Sequence, residues 1–479
     1  MSEHFKLMVP GAAPSTTPLE IHAPWDNALI ATADTADGAA VEQALASAHA
    51  LYRDRDSWLS PAERIHILQK TADLMQAQRE TLALEAAREG GKPLVDSLVE
   101  VDRAIDGVHG CIECLRNDAG REIPMGINPA SAGRLAMTHR EPVGVVVAVS
   151  AFNHPLNLIV HQVGPAIASG CPVIVKPAED TPLSCFRFVQ LLREAGLPES
   201  WCQALVVSDL AVASQLVKDA RVGFFSFIGS ARVGWMLRSQ LAPGTRCALE
   251  HGGAAPVIVH ADADLDDALP LLAQGGFYHA GQVCVSVQRV YCHRSIARDV
   301  AHRLAAAGKE LWVGDPTQAQ TEVGPLIRHA ETARVAEWVS EAVDAGAQLL
   351  CGGEKLSDSC YAPTVLFNPP ADVRVSQLEI FGPVICVYEF DEVDDAVARA
   401  NSLPFAFQAA VFTKNIDAAL AGYRNLDASA VMVNDHTAFR VDWMPFAGLR
   451  QSGLGTGGIP YTFEDMQVEK MLVLRSPAL

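Results

Sequence analysis

From Gly144 onward the chain switches repeatedly from short, β-branched apolar runs to longer helical stretches: Val145 to Ser150, then Pro155 to Ser169, then Pro172 to Lys176. Strands this apolar must be covered on both faces, and strands joined through helices lie parallel, so the texture predicts a doubly wound parallel sheet of the nucleotide-binding kind. A second α/β series follows Glu250, with a strand over Ala255 to His260, a helix over Asp264 to Ala280 and a strand over Val283 to Cys292. Helices precede both series. Val41, Leu45, Ala48 and Leu51 begin a helical periodicity that runs from about Ala39 to Leu115, and Ser60-Pro61-Ala62-Glu63 has the form of a capped helix start. A length of 479 residues accommodates two or three such domains.

Charge and composition remove several classes of function. The formal net charge is −19, with no cluster of Lys and Arg, which opposes binding to nucleic acid. No run reaches the roughly 18 apolar residues of a membrane span, and Met1 to Pro18 lacks the apolar core of a secretory signal. The expected compartment is the cytoplasm. Eleven cysteines, an odd number, then imply free thiols rather than a disulfide framework. Cys111-Ile-Glu-Cys114 has no second ligand pair and falls in a helical stretch, so it reads as two cysteines sharing a face, and no metal site is expected.

Cys284, in Gly281-Gln-Val-Cys-Val285, follows a helix and precedes a strand. Thiols attack carbonyls well, yet an unperturbed thiol is mostly protonated at neutral pH, so this one needs activation. Alone, the motif reads as buried packing. It stands, however, in Phe277-Tyr-His-Ala-Gly-Gln-Val-Cys284, beside Leu249-Glu-His-Gly-Gly253, Phe227-Ile-Gly-Ser230, Phe152-Asn-His-Pro155, Lys176-Pro-Ala-Glu179 and Glu379-Ile-Phe-Gly-Pro383. With these motifs in matching order from about residue 140 to 455, the chain resembles the aldehyde dehydrogenase superfamily.

The resemblance implies an α/β fold with three parts: an NAD-binding domain formed by residues 1–121 and 142–250, a catalytic α/β domain at 251–455, and an oligomerisation arm and tail at 122–141 and 456–479. It implies Cys284 as the nucleophile that forms a thiohemiacetal with an aldehyde, Asn153 as the donor that stabilises the oxyanion, and Glu250 as the base that activates water against the thioester. Phe227, Gly229 and Ser230 would receive a pyrophosphate at a helix N-terminus. Lys176 and Glu179 would bind the adenosine ribose, where an acid repels a 2′-phosphate and so favours NAD over NADP. Glu379 and Phe381 would hold the nicotinamide ribose and ring. A homodimer or homotetramer is expected, while Gly453-Leu-Gly-Thr-Gly-Gly458 reads as a loop near the substrate domain.

Three positions leave the common pattern: His154 stands where the family usually has an aromatic, Gln162 where it has a basic residue, and Ala447, in Pro445-Phe-Ala-Gly448, where Gly is more frequent. Arg289 and His109, with His154 and His161, would make an anion-receiving pocket, and His436 and Arg440 add a further wall. Phe-Asn-His-Pro and Val441-Asp-Trp-Met-Pro-Phe446 are similar to the branch acting on phosphonoacetaldehyde, lactaldehyde and sulfolactaldehyde. The expected substrate is thus a short aldehyde with an anionic or polar group. The alternatives are a CoA-acylating enzyme, against which Glu250 argues, and a catalytically silent nucleotide-binding member.

Overall fold

The computed structural model describes residues 3–479. Three short strands that the sequence texture does not announce open it, β1 (Glu3–Phe5), β2 (Leu19–His22) and β3 (Leu29–Ala33). Helices α1 (Gly38–Arg53), α2 (Pro61–Ala77), α3 (Arg79–Gly90) and α4 (Leu94–Asn117) come next. Asp37 caps α1, and Ser60 and Glu63 form the reciprocal capping box that starts α2. Then come β4 (Glu122–Ile123) and β5 (Arg134–Pro142).

The alternating region folds as β6 (Val145–Val149), α5 (Asn157–Ser169), β7 (Val173–Lys176), α6 (Leu183–Glu194), β8 (Cys202–Ala204), α7 (Leu210–Lys218), β9 (Val222–Ile228), α8 (Ala231–Arg238) and β10 (Arg246–Glu250). The second series runs β11 (Ala255–Val259), α9 (Leu265–Phe277), β12 (Val287–His293), β13 (Gln348–Cys351), β14 (Thr364–Phe367), β15 (Val384–Phe390), β16 (Phe405–Ala406), β17 (Gln408–Phe412) and β18 (Ala430–Val433), with further helices between. Short strands β19 (Leu449–Arg450) and β20 (Gly453–Leu454) and the long β21 (Gln467–Arg475) end the chain. Two expected bounds change here. The helix assigned to Asp264–Ala280 stops at Phe277, and the strand assigned to Val283–Cys292 begins only at Val287. Cys284 therefore lies in a true loop.

The first large sheet has the order β20-β10-β9-β6-β7-β8, parallel except at β20. One face packs on α2, α4, α5 and α6, the other on α1, α7 and α8, through two separate apolar cores. Every residue of α5 is buried, as a helix apolar all round requires. In the second sheet, β13-β14-β15-β12-β11-β17-β18, only β13 is antiparallel, and it carries its own core. The arm is a three-stranded sheet in which β21 pairs antiparallel with β5 from Gln467↔Pro142 to Arg475↔Arg134.

Gly453-Leu-Gly-Thr-Gly-Gly458, expected as a loop near the substrate domain, instead returns to the first sheet: β20 pairs with the end of β10, Glu250 opposite Gly453. A Cβ at Gly457 would stand 2.1 Å from Glu250 Oε1, so this stretch lies directly against that carboxylate. The carboxyl ends of β6, β7, β9 and β10 lead into Asn153, Lys176, Gly229 and Glu250, whereas Cys284 and Glu379 precede β12 and β15. Strand ends of one sheet thus meet strand starts of the other.

Candidate active site

The segment after α9 reverses through three successive left-handed residues, His279 (φ 49°), Ala280 (φ 53°) and Gly281 (φ 69°). At Gly281 a side chain is excluded twice, by the positive φ and by Gly382 O, which a Cβ would meet at 2.1 Å. Gln282 pins the reversed chain in place. Its Oε1 accepts from Ile327 N–H at 3.0 Å, and its Nε2 donates to His279 O at 3.3 Å and Pro325 O at 3.2 Å. Cys284 rides on the next turn, half-buried, beside Val283, Val285, Phe407, Phe446, Tyr278 and Ala438.

Asn153, 3% exposed, donates from Nδ2 to Gln282 O at 2.9 Å, and its Oδ1 has no partner among the described residues. The loop that carries it is held from behind. Glu100 accepts from Leu156 and Asn157 N–H at 2.9 and 3.0 Å, capping the start of α5, while its other oxygen pairs with Lys92; both partners are fully buried. Gln162, the unexpected amide of α5, ties that helix to β9 through Ser226 Oγ at 2.9 Å and to β6 through Val149 O at 3.2 Å.

Three charges act on the Cys284 thiol. Burial pushes it from the ordinary 9.0 up to about 12, Glu379 and Glu250 add to the rise, and Arg440 opposes it. Burial also raises Glu250 above its ordinary 4.5, again with Arg440 opposing. Glu379 is pushed up to about 8 by burial, against a hydrogen bond accepted from Gly253 N–H at 3.1 Å. Gly252 must be glycine for this arrangement, since a Cβ there would fall 1.6 Å from Glu379 Oε1. In the resting site the sulfur is a thiol, and burial works against the charged form of both acids.

The residues expected at the substrate end divide. Arg440 and His161 come together: an Arg440 Nη donates to His161 Nδ1 at 3.4 Å, and the guanidinium lies 3.6 Å from the centre of the Phe446 ring. His161 Nε2 donates to Asp442 at 2.7 Å. His154 is bonded through Nε2 to Tyr278 Oη at 3.2 Å, and burial followed by the nearby Lys92 charge holds it well below the ordinary histidine value. His109 faces an outer groove of about 540 Å³ that it shares with Asp442 and Trp443. His436 packs on Gly275 of α9, its Nδ1 accepting from Ala438 N–H at 3.1 Å.

Arg289 is the correction. Instead of entering an anion pocket it is 2% exposed within β12 and donates to the carbonyls of Ala254, Arg399 and Ala400. Alternation along the strand turns it into the second domain's interior. Arg103, Asp442, Tyr278 and Gln282 escaped sequence reasoning as site residues. Asp442 had a signal, standing two residues past Arg440 in the Val-Asp-Trp-Met-Pro segment; Arg103, 339 positions from its partner, had none.

At the other end, Ser230 starts α8 with its hydroxyl making no capping bond to the helix. Lys176, the last residue of β7, is paired with Glu179 at 2.5 Å. Phe381, at φ 48°, sets its ring edge-on to Phe152, centroids 5.8 Å apart. An open helix start beside parallel strand ends, with an acid at the next strand, suits a dinucleotide.

A profile of the Aldehyde dehydrogenase family matches residues 11–472. The chain is 39% identical to 3-sulfolactaldehyde dehydrogenase of Priestia aryabhattai over 434 residues, 91% of this chain and 90% of that protein. Aldehyde dehydrogenase 21 from Physcomitrella patens, solved in complex with the reaction product succinate, superposes with a TM-score of 0.94 at 32% identity and covers 99% of both chains. Glyceraldehyde-3-phosphate dehydrogenase from Methanocaldococcus jannaschii, complexed with NADP, gives 0.91 at 32% identity over 96% of this chain and 100% of that one. From strand order to the loop that carries Cys284, the protein is an enzyme of the aldehyde dehydrogenase family.

Proposed function

We propose that this enzyme oxidises a short aldehyde bearing an anionic group to its carboxylate, with NAD as hydride acceptor. The observation that carries this reading is the convergence on Cys284 of two carboxyl groups, Glu250 and Glu379, and one guanidinium, Arg440. The names of the relatives support it, since sulfolactaldehyde, succinate and glyceraldehyde 3-phosphate each carry an anionic group.

In the proposed mechanism the Cys284 proton passes to solvent, by way of Glu250 where that carboxyl is ionised, as the sulfur attacks the carbonyl carbon. A C–S bond forms, and the carbonyl π electrons move onto oxygen. Asn153 Nδ2 and the Cys284 backbone N–H donate to that oxyanion, and such a donor is worth about 3–4 kcal/mol. A bound nicotinamide dinucleotide supplies the acceptor for the hydride lost from that carbon. Cys284 then holds a thioester. Glu250 takes a proton from water as its oxygen adds to the acyl carbon, the C–S bond breaks, and carboxylate and thiol result. The open start of α8 at Ser230, the Lys176–Glu179 pair and the Glu379 carboxyl fit the pyrophosphate, the adenosine ribose and the nicotinamide ribose respectively. Glu179 supports NAD over NADP. The exposed apolar residues of β21, Met471 to Leu474, support assembly of the arm into a homodimer or homotetramer.

Initial rates of NADH formation across short aldehydes with anionic and neutral heads, each with NAD and NADP, test the reading. Anionic aldehydes should lead in kcat/KM by about tenfold or more, equivalent to about 1.4 kcal/mol. Equal or better rates with neutral aldehydes would remove Arg440 from substrate recognition, and faster turnover with NADP would remove Glu179 from cofactor choice.

A further inference from the structure

Four donors converge on one carboxylate at the substrate end. Asp442, 4% exposed, takes two bonds from Arg103, at 3.0 and 2.7 Å, one from His161 at 2.7 Å and one from Asn157 Nδ2 at 3.2 Å. Because His161 donates from Nε2 to Asp442 and accepts at Nδ1 from Arg440, it is the neutral tautomer, and it fixes the direction of the Arg440 guanidinium. Arg440 has no other hydrogen bond among the described residues, and its buried Nε has no partner. Two arginines thus stand at this end, one neutralised and one open. Asp442 also borders the outer groove with His109 and Trp443.

We propose that Asp442 is a specificity-determining residue: by holding Arg103 and His161 to itself it leaves Arg440 as the cation near the thiol that no carboxylate hydrogen-bonds, and so selects aldehydes with a singly charged head over those with a doubly charged one. A carboxylate or sulfonate is matched by one guanidinium. A phosphate dianion needs a second cation, and the bidentate fork of Arg103 that would serve is already closed on Asp442. A second negative charge near Asp442 is also repelled by it. The inference rests on the proposed role of Arg440 in binding the anionic head.

The test is kcat/KM, at constant ionic strength, for aldehydes of equal chain length ending in carboxylate, sulfonate or phosphate, on the parent enzyme, Asp442→Asn, Arg440→Gln and the double variant Arg103→Gln/Asp442→Asn. The parent should prefer the monoanions by about tenfold or more, and Asp442→Asn, which keeps the shape and an acceptor for His161, should shift the dianion-to-monoanion ratio by at least about tenfold. The double variant restores the local charge and should return the ratio to near the parental one, an effect that a merely structural role would not produce. A parent that favours the dianion overturns the proposal even where Asp442→Asn does not fold. An unchanged ratio in Asp442→Asn, or a shift that persists in the double variant, overturns it too. Should Arg440→Gln leave the preference for anionic over neutral aldehydes intact, the underlying substrate reading fails; should it abolish that preference while Asp442→Asn leaves the ratio unmoved, only the present inference fails.

Discussion

In the proposed mechanism the Cys284 thiol is the acid and the Glu250 carboxyl the base, and burial works against the charged form of each. Burial favours the uncharged form of both, pushing the thiol to about 12 and the carboxyl above 4.5. A free thiolate is therefore a minor species at neutral pH, and the proton must move as the substrate is engaged. Both groups react in their deprotonated forms, which fixes the sign of the pH dependence. Activity should rise with pH, first as Glu250 ionises above the ordinary carboxylate value, then further as thiolate becomes available toward alkaline pH. Steady-state and single-turnover rates measured across pH separate the two: in Glu250→Gln the acid limb of hydrolysis should vanish while single-turnover hydride release still climbs with pH. An acid limb that persists in Glu250→Gln assigns it to another group, with Glu379 the first to examine.

Among the elements, the loop between α9 and β12 carries the most consequence for its length. Three left-handed residues in succession cannot hold themselves in place, and the Gln282 side chain supplies the restraint with bonds to Ile327, His279 and Pro325. The same residue's carbonyl receives Asn153, so one residue positions both Cys284 and Asn153, the proposed nucleophile and oxyanion donor. Replacing Gln282 by Leu leaves the Ile327 N–H and the Pro325 carbonyl unpaired, while His279 O keeps its bond from the backbone N–H of residue 282. The expected cost is about 1–3 kcal/mol of stability per unpaired group, together with a fall in kcat of about 100-fold, the effect of misplacing a reacting atom by roughly 1 Å. Denaturant melts run alongside kcat and KM check this; a stability loss without any change in kcat would show that the loop holds its shape without Gln282.

At the scale of the whole molecule, the sequence discloses mainly the local patterns. The two strand–helix series, the capping box at Ser60 and the motif residues at strand ends extend over a few positions each, and they foretell both sheets and the stretches that carry Cys284, Glu250 and Asn153. Long-range closure left no such trace. Asp442 meets Arg103 across 339 positions, β20 returns to the edge of the first sheet beside Glu250, and Arg289 is turned inward by a register that only the folded strand reveals. The junction between the sheets is where these distant pieces meet, and the account's central claim is that a covalent acyl group forms there on Cys284 and leaves by Glu250-activated water. Intact-mass analysis of Glu250→Gln after a single addition of aldehyde and NAD tests it most directly. The account predicts one equivalent of NADH and a protein heavier by one acyl group, located on Cys284 by peptide mapping and absent in Cys284→Ala; steady turnover by Glu250→Gln at the parental rate with no adduct, or oxidation by Cys284→Ala, would contradict it.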